Sequence, residues 1–257
     1  MSVDPNATDV VQNPDGPAER TPELSVVMPA YCEERRIVAV VSDWMAELDR
    51  LDIDYEFRVY DDGSKDGTRE VLERLAAERP RLVVRSHSNR GHGPTILAGY
   101  EEAQGDWVFQ TDSDDELPPG RFADLWEHRH EFDILVGNRQ NRRSPLARKV
   151  VAAGSRCAVW LLFGKSFRDV NTPYRLMRRS VLVEMIRFVP RTTFAPNVIL
   201  AGLAARMAVR VYEAPVPHRP QQTITAALNR WGLWKTALRC ARESARVALA
   251  VRRLRAK

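Results

Sequence analysis

The chain has 257 residues, 44% hydrophobic and 28% charged, with a formal net charge of +5. That length supports one α/β core, and that composition belongs to a soluble globular protein rather than a disordered or fibrous one. Acidic and basic residues are interleaved without a zinc-finger, homeodomain or RNA-binding aromatic signature, so nucleic acid is not an expected partner.

Residues 1–23 are rich in Asp, Pro, Asn, Thr and Gly and are expected to lack regular structure. From Leu24 short apolar runs alternate with longer segments of helical period. The pattern predicts strands over 24–28, 57–60, 82–85, 107–111 and 134–137, separated by helices over 33–51, 67–78, 94–103 and 120–130. Strands joined by helices of this length pair in parallel through right-handed crossovers, giving an α/β fold with a doubly wound, mostly parallel sheet. The second half predicts helices over 148–162 and 196–207 and a strand over 209–212. A stiff stretch, Pro215-Val216-Pro217-His218-Arg219-Pro220, follows. The tail 225–257 reads as a long basic helix carrying Trp231, Trp234, Leu238, Val247 and Leu249.

Cys32, Cys157 and Cys240 are widely spaced and form no metal-ligand or disulfide pattern, which fits a reducing cytosol. No stretch approaches the roughly 20 apolar residues of a membrane span, and no signal peptide is seen. The expected location is therefore cytoplasmic.

In such sheets ligands bind beyond the carboxyl ends of the strands. Asp112-Ser113-Asp114-Asp115-Glu116 follows the apolar run 107–111. Alternate residues of an extended chain point the same way, so Asp112 and Asp114 converge on one object. Hard oxygen donors with room for water suit Mg²⁺ or Mn²⁺ carrying a diphosphate. The plain alternative is an acidic loop capping the next helix.

Three other loops lie at strand ends. Pro29-Ala30-Tyr31-Cys32-Glu33 follows the first strand, where Pro29 stops the ladder and Tyr31 and Glu33 suit a nucleobase; the alternative is a helix-entry turn. Asp61-Asp62-Gly63-Ser64 follows the second strand and makes a tight loop with an acidic rim. Arg90-Gly91-His92-Gly93 opens a helix and can cradle an anion at its N-terminus, or simply turn the chain.

Taken in order and spacing, the Pro-Ala-Tyr-x-Glu loop, the Asp-Asp-Gly-Ser-x-Asp-Gly-Thr loop, the Asn-x-Gly-x-Gly helix start and the Asp-x-Asp cluster resemble family-2 glycosyltransferases of the GT-A (nucleotide-diphospho-sugar transferase) fold. The match covers residues 24–138 well, and within that family the chain is most similar to polyprenyl-phosphate sugar synthases of the dolichol-phosphate mannose synthase type. The resemblance implies one domain over 24–224, with nucleotide-sugar binding in 24–138 and an acceptor half in 139–224, followed by the basic helix 225–257. It implies that Pro29, Ala30, Tyr31, Glu33, Asp61, Asp62, Gly91, Gly93 and Asp112 meet the nucleotide-sugar donor. Asp112 and Asp114 would hold the divalent ion.

Asp114, Asp115, Arg175, His218 and Arg219 are the expected catalytic residues, with Arg175 either meeting a phosphate or pairing with Asp169 across a turn. At the helix start Phe194-Ala195-Pro196-Asn197, Asn197 stands where many family members carry a carboxylate. An acceptor that is already an anion needs no base, which favours a polyprenyl phosphate; Asp115 or Glu116 would serve as base for a small hydroxyl acceptor. The basic tail suits either a packed helix, including one across a homodimer, or peripheral contact with the inner face of the cell membrane. A nucleotide-sugar-binding module without turnover and a nucleotidyltransferase are the other classes. The latter would want a basic Gly-rich loop after the first strand, where Pro29-Ala30-Tyr31 stands.

Overall fold

The computed structural model describes residues 9–10, 21–140, 146–164, 167–219 and 230–254. Its strands are β1 (Asp9–Val10), β2 (Leu24–Ala30), β3 (Tyr55–Asp61), β4 (Leu82–Ser86), β5 (Trp107–Gln110), β6 (Ile134–Gln140), β7 (Arg175–Arg178) and β8 (Val211–Pro217). They form one sheet in the order β1-β4-β3-β2-β5-β7-β6-β8. Pairing is parallel from β4 through β5 and between β6 and β8; β1 and β7 run antiparallel to their neighbours. The doubly wound, mostly parallel sheet is therefore present. Within 1–23, where no regular structure was expected, Asp9–Val10 pairs with Arg85 and Ser86.

The helices are α1 (Ile37–Arg50), α2 (Thr68–Glu78), α3 (His92–Glu102), α4 (Phe122–Glu127), α5 (Leu146–Phe163), α6 (Arg179–Ile186), α7 (Pro196–Arg206) and α8 (Arg230–Leu254). Every residue of β2 is buried, as expected of a central parallel strand covered on both faces. On one face the side chains of α1 and α2 close a core around Trp44, Phe109, Phe122 and Tyr174, whose rings contact at centroid distances of 4.8–6.0 Å. On the other, Tyr100, Val108, Met177, Leu200 and Val247 bring α3, α7 and α8 onto the sheet. No helix among the described residues is long and apolar enough to cross a membrane.

Several elements differ from the sequence expectation. The first helix starts at Ile37 rather than 33, because Cys32 takes a left-handed backbone (φ 57°) and the chain turns before the helix opens. The expected helix over 120–130 is broken into a 3₁₀ turn, the short α4 and a second 3₁₀ turn. β7 and α6 have no counterpart in the sequence reading, since a four-residue strand bounded by Arg175 and Arg178 carries too little apolar pattern. Part of the supposed stiff loop is strand: Pro215 and Pro217 lie in β8, at the sheet edge where a missing N–H is tolerated.

One detail of register positions the site. β2 pairs with β3 through Ala30, but its pairing with β5 ends with Val27 opposite Gln110 and the bond from Thr111 N–H to Val27 O. Pro29 has no N–H with which to extend the ladder. The sheet is left open there, at the carboxyl ends of its central strands.

Candidate active site

A cleft of about 310 Å³ occupies that opening, lined by Pro29, Ala30, Tyr31, Glu33, Asp62, Asn89, Gly91, His92, Asp112, Ser113 and Asp114. The loop after β2 is pinned to the loop after β3: Cys32 N–H donates to Ser64 Oγ at 2.9 Å and Glu33 N–H to Thr68 Oγ1 at 2.8 Å. Tyr31 is left 44% exposed, its ring available for stacking. Asp62 grips the third loop with both oxygens, accepting Arg90 N–H at 2.7 Å and Gly91 N–H at 3.0 Å. Gly91 has φ 90°, a conformation that side-chain-bearing residues rarely adopt.

The carboxylates crowd the other wall. Burial, with Asp112, Glu116 and Glu33 nearby, pushes the Asp114 carboxyl up to about 7. Burial also raises Asp112, partly offset by His92 and Arg139. Asp112 Oδ1 is buried without a hydrogen-bond partner, while Asp114 Oδ1 accepts Glu116 N–H at 3.0 Å. An orphaned carboxylate oxygen beside a second carboxyl is the donor set a hard divalent cation satisfies. The residues present therefore fit a divalent ion. No group of three or more His, Cys, Asp or Glu among the described residues is spaced to hold one unaided, so such an ion would draw further oxygens from substrate or water.

Other expected residues do not line the cleft. Asp61 is buried, and its Oδ1 accepts Ser64 N–H at 3.1 Å, shaping the loop from beneath. Gly93 serves packing: a Cβ there would lie 1.9 Å from Thr193 O. Asp115 (φ 59°) pairs with Arg219 at 2.9 Å, and Glu116 meets His218 at 3.0 Å. Arg219 N–H also donates to Glu116 O at 2.8 Å, so the acidic loop is strapped to the residues following β8. Arg175 does not pair with Asp169; it is fully buried and donates to Asn197 O and Val170 O, each at 3.2 Å. Asp169 instead takes Arg139, at 2.6 and 3.0 Å.

Sequence reasoning quoted Asn89 and Ser113 only as members of their motifs, with no role, and passed over Arg139. The last is a cation near the carboxyl end of β6, close enough to Glu116 and Asp112 to feel both charges. Its one available signal was its place just beyond a predicted strand. The side chains of Trp231, Trp234 and Lys235 in the basic tail lie outside the described residues.

The model of the family described as "Glycosyl transferase family 2" matches residues 25–185. An undecaprenyl-phosphate 4-deoxy-4-formamido-L-arabinose transferase of Aeromonas hydrophila is 35% identical over 198 residues, covering 76% of this chain and 59% of that one. Its counterpart in Pectobacterium atrosepticum is 30% identical over 191 residues, covering 73% and 58%. The chain thus spans less than two thirds of the length of these relatives. Among solved structures, glucosyl-3-phosphoglycerate synthase of Mycobacterium tuberculosis, in complex with Mn²⁺, UDP-glucose and phosphoglyceric acid, superposes with a TM-score of 0.60. It is 19% identical, with 87% of this chain and 80% of that chain covered, a likeness of fold.

Proposed function

The chain belongs to glycosyl transferase family 2, and from that membership we propose that it transfers a sugar from a UDP- or GDP-sugar to a polyprenyl phosphate. The observation that carries the reading is that Tyr31 and Asp62 line the same cleft as Asp112 and Asp114. An aromatic ring and a backbone-anchored carboxylate suit a nucleoside; the acidic wall suits a metal-bound diphosphate.

Mg²⁺ or Mn²⁺, held by Asp112 and Asp114, would neutralise charge on the departing diphosphate. The rest falls to the chain's own groups. Tyr31, Glu33 and Asp62 hold the nucleoside and the Gly91 loop faces the phosphates. On the far side the acceptor's phosphate oxygen attacks the anomeric carbon as the bond to the diphosphate breaks, inverting that centre. Arg219 and Arg139 supply positive charge where two anions meet, with His218 beside them.

The acceptor class follows from proton economy. Asn197 is buried, with its amide on Thr172 O at 3.4 Å, and holds no titratable proton. Asp115 and Glu116 are engaged by Arg219 and His218. A phosphate acceptor requires no base. The names of the relatives, which act on undecaprenyl phosphate, support the same choice.

A lipid acceptor brings the chain to a bilayer. The described part of α5 exposes Trp160 (57%) and Leu161 (63%) near exposed Arg156 and Arg168, chemistry suited to an anionic membrane surface. Peripheral attachment to the inner face of the cell membrane belongs to this proposal.

The test is a donor screen with purified chain, Mn²⁺ or Mg²⁺ and undecaprenyl phosphate, scoring release of UDP or GDP. Turnover with the phosphate acceptor is expected. Turnover only with hydroxyl acceptors overturns the lipid reading, and none with any pair overturns the transferase reading.

A further inference from the structure

Directly beneath the carboxylate wall lies a polar group in an otherwise apolar face of the sheet. Gln110 and Arg175 are opposite one another in the β5–β7 register, so their side chains share a face. Their neighbours on that face, Val108 and Met177, are also register partners and wholly buried. Tyr100 comes down from α3 and donates its hydroxyl hydrogen to Gln110 Oε1 at 2.6 Å. Asn197, at the start of α7, presents Oδ1 to the same hydroxyl at 3.4 Å. Asn197 is itself held twice, its backbone carbonyl accepting from Arg175 and its side-chain amide donating to Thr172 O.

The direction of these bonds matters. A tyrosine hydroxyl has one hydrogen, and the short contact gives it to Gln110. With Oε1 turned to Tyr100, Gln110 Nε2 is the free end of the amide. Gln110 Nε2 is buried without a partner, and so is Asp112 Oδ1. These two residues are separated by one position, and the ladder bond from Thr111 N–H keeps the chain extended between them. Alternation therefore turns Gln110 and Asp112 to the same side. An amide N–H₂ beside a carboxylate offers one oxygen a hydrogen bond and leaves the other oxygen to the cleft.

We propose that Tyr100, packed among Gln110, Asn197 and Arg175, is a positioning residue that sets the Gln110 amide and through it orients the Asp112 carboxylate toward the metal-diphosphate of the donor. The proposal rests on the donor reading above and names the residues that preorganise it. Groups that orient a metal-binding carboxylate govern affinity without touching the ion.

The experiment compares the unaltered chain with Tyr100→Phe, which keeps the ring and deletes the hydroxyl. Calorimetry follows binding of UDP and of GDP, each with and without Mn²⁺, alongside a thermal melt. The Mn²⁺-dependent gain in nucleotide affinity should fall roughly tenfold in Tyr100→Phe, with metal-free nucleotide binding unchanged. Gln110→Glu keeps an acceptor for Tyr100 but sets a carboxylate against Asp112, and should lose more of the Mn²⁺-dependent gain than Tyr100→Phe. If Tyr100→Phe keeps that gain within twofold, or loses metal-free and metal-dependent binding alike, the hydroxyl is structural and the proposal fails alone. An unaltered chain that binds neither nucleotide with Mn²⁺ overturns the donor reading as well.

Discussion

His218 Nε2 lies 3.0 Å from Glu116 Oε2, joining the acidic loop after β5 to the residues that follow β8. Beside it Arg219 holds Asp115 with both carboxylate oxygens at 2.9 and 3.0 Å. The Arg219 pair is largely solvent-exposed, so its loss should cost folding only about 0–1 kcal/mol. Arg219→Ala is therefore expected to melt within a few degrees of the unaltered chain. If Arg219 steadies two anions during transfer, turnover should nonetheless fall roughly a hundredfold. Equal turnover at saturating donor and acceptor would reduce the pair to a surface strap.

Asp114 gives a pH prediction with a defined sign. In the folded, metal-free chain its carboxyl is pushed up to about 7, whereas an unfolded chain releases that proton near pH 3.9. Between those values the folded state binds more protons, so its contribution to stability is present at low pH and lost as pH rises through about 7. The metal-free melting temperature should thus fall between about pH 4 and 7, and Asp114→Asn should flatten that fall. Mn²⁺ binding needs the carboxylate ionised and should tighten over the same interval. Calorimetry and melting curves at stepped pH check both; a metal affinity indifferent to pH would argue against Asp114 as a ligand.

The lining of the cleft was legible because its chemistry is local. Pro29, Tyr31, Asp62, Gly91 and Asp112 each fall within a residue or two of a strand or helix end, Asp114 follows on the loop after β5, and strand ends can be read from apolar runs. The residues expected to meet an acceptor were not legible in the same way. Whether Arg175 meets a phosphate, a carboxylate or carbonyls depends on the antiparallel β7, which nothing in its four residues announces. Likewise the partner of Asp169 is Arg139, 30 positions away, rather than its sequence neighbour. Gly93 shows the same limit: its loop invites a phosphate reading, yet the constraint on it comes from Thr193, on a segment far along the chain.

That glycine is testable on its own. A Cβ at position 93 would sit 1.9 Å from Thr193 O and 3.1 Å from Phe194 O, backbone atoms with little freedom to retreat. Gly93→Ala should cost roughly 1–3 kcal/mol of stability, seen as a lower denaturation midpoint. Gly91→Ala meets no atom within 4 Å but imposes φ 90° on a side-chain-bearing residue. Its backbone N–H is also the one Asp62 holds. It should weaken nucleotide binding more than it lowers the midpoint, the reverse of Gly93→Ala.

The surface of α5 supplies the last prediction. Trp160 and Leu161 are among the most exposed large apolar side chains of the described residues, and Trp160 borders a hollow lined also by Ala153, Arg156, Cys157, Phe167 and Arg168. An interfacial tryptophan inserts its ring while arginines meet anionic headgroups, so binding should depend on both. The chain is expected to co-sediment with vesicles containing phosphatidylglycerol, and less with phosphatidylcholine alone. Trp160→Ala with Leu161→Ala should remove most of that binding, and Arg156→Glu with Arg168→Glu should remove the preference for anionic lipid. Neither pair lines the donor cleft, so nucleotide affinity in solution should stay as it was. Unchanged sedimentation of both variants, or a dimer in solution that Trp160→Ala dissociates, would assign this face to protein rather than lipid.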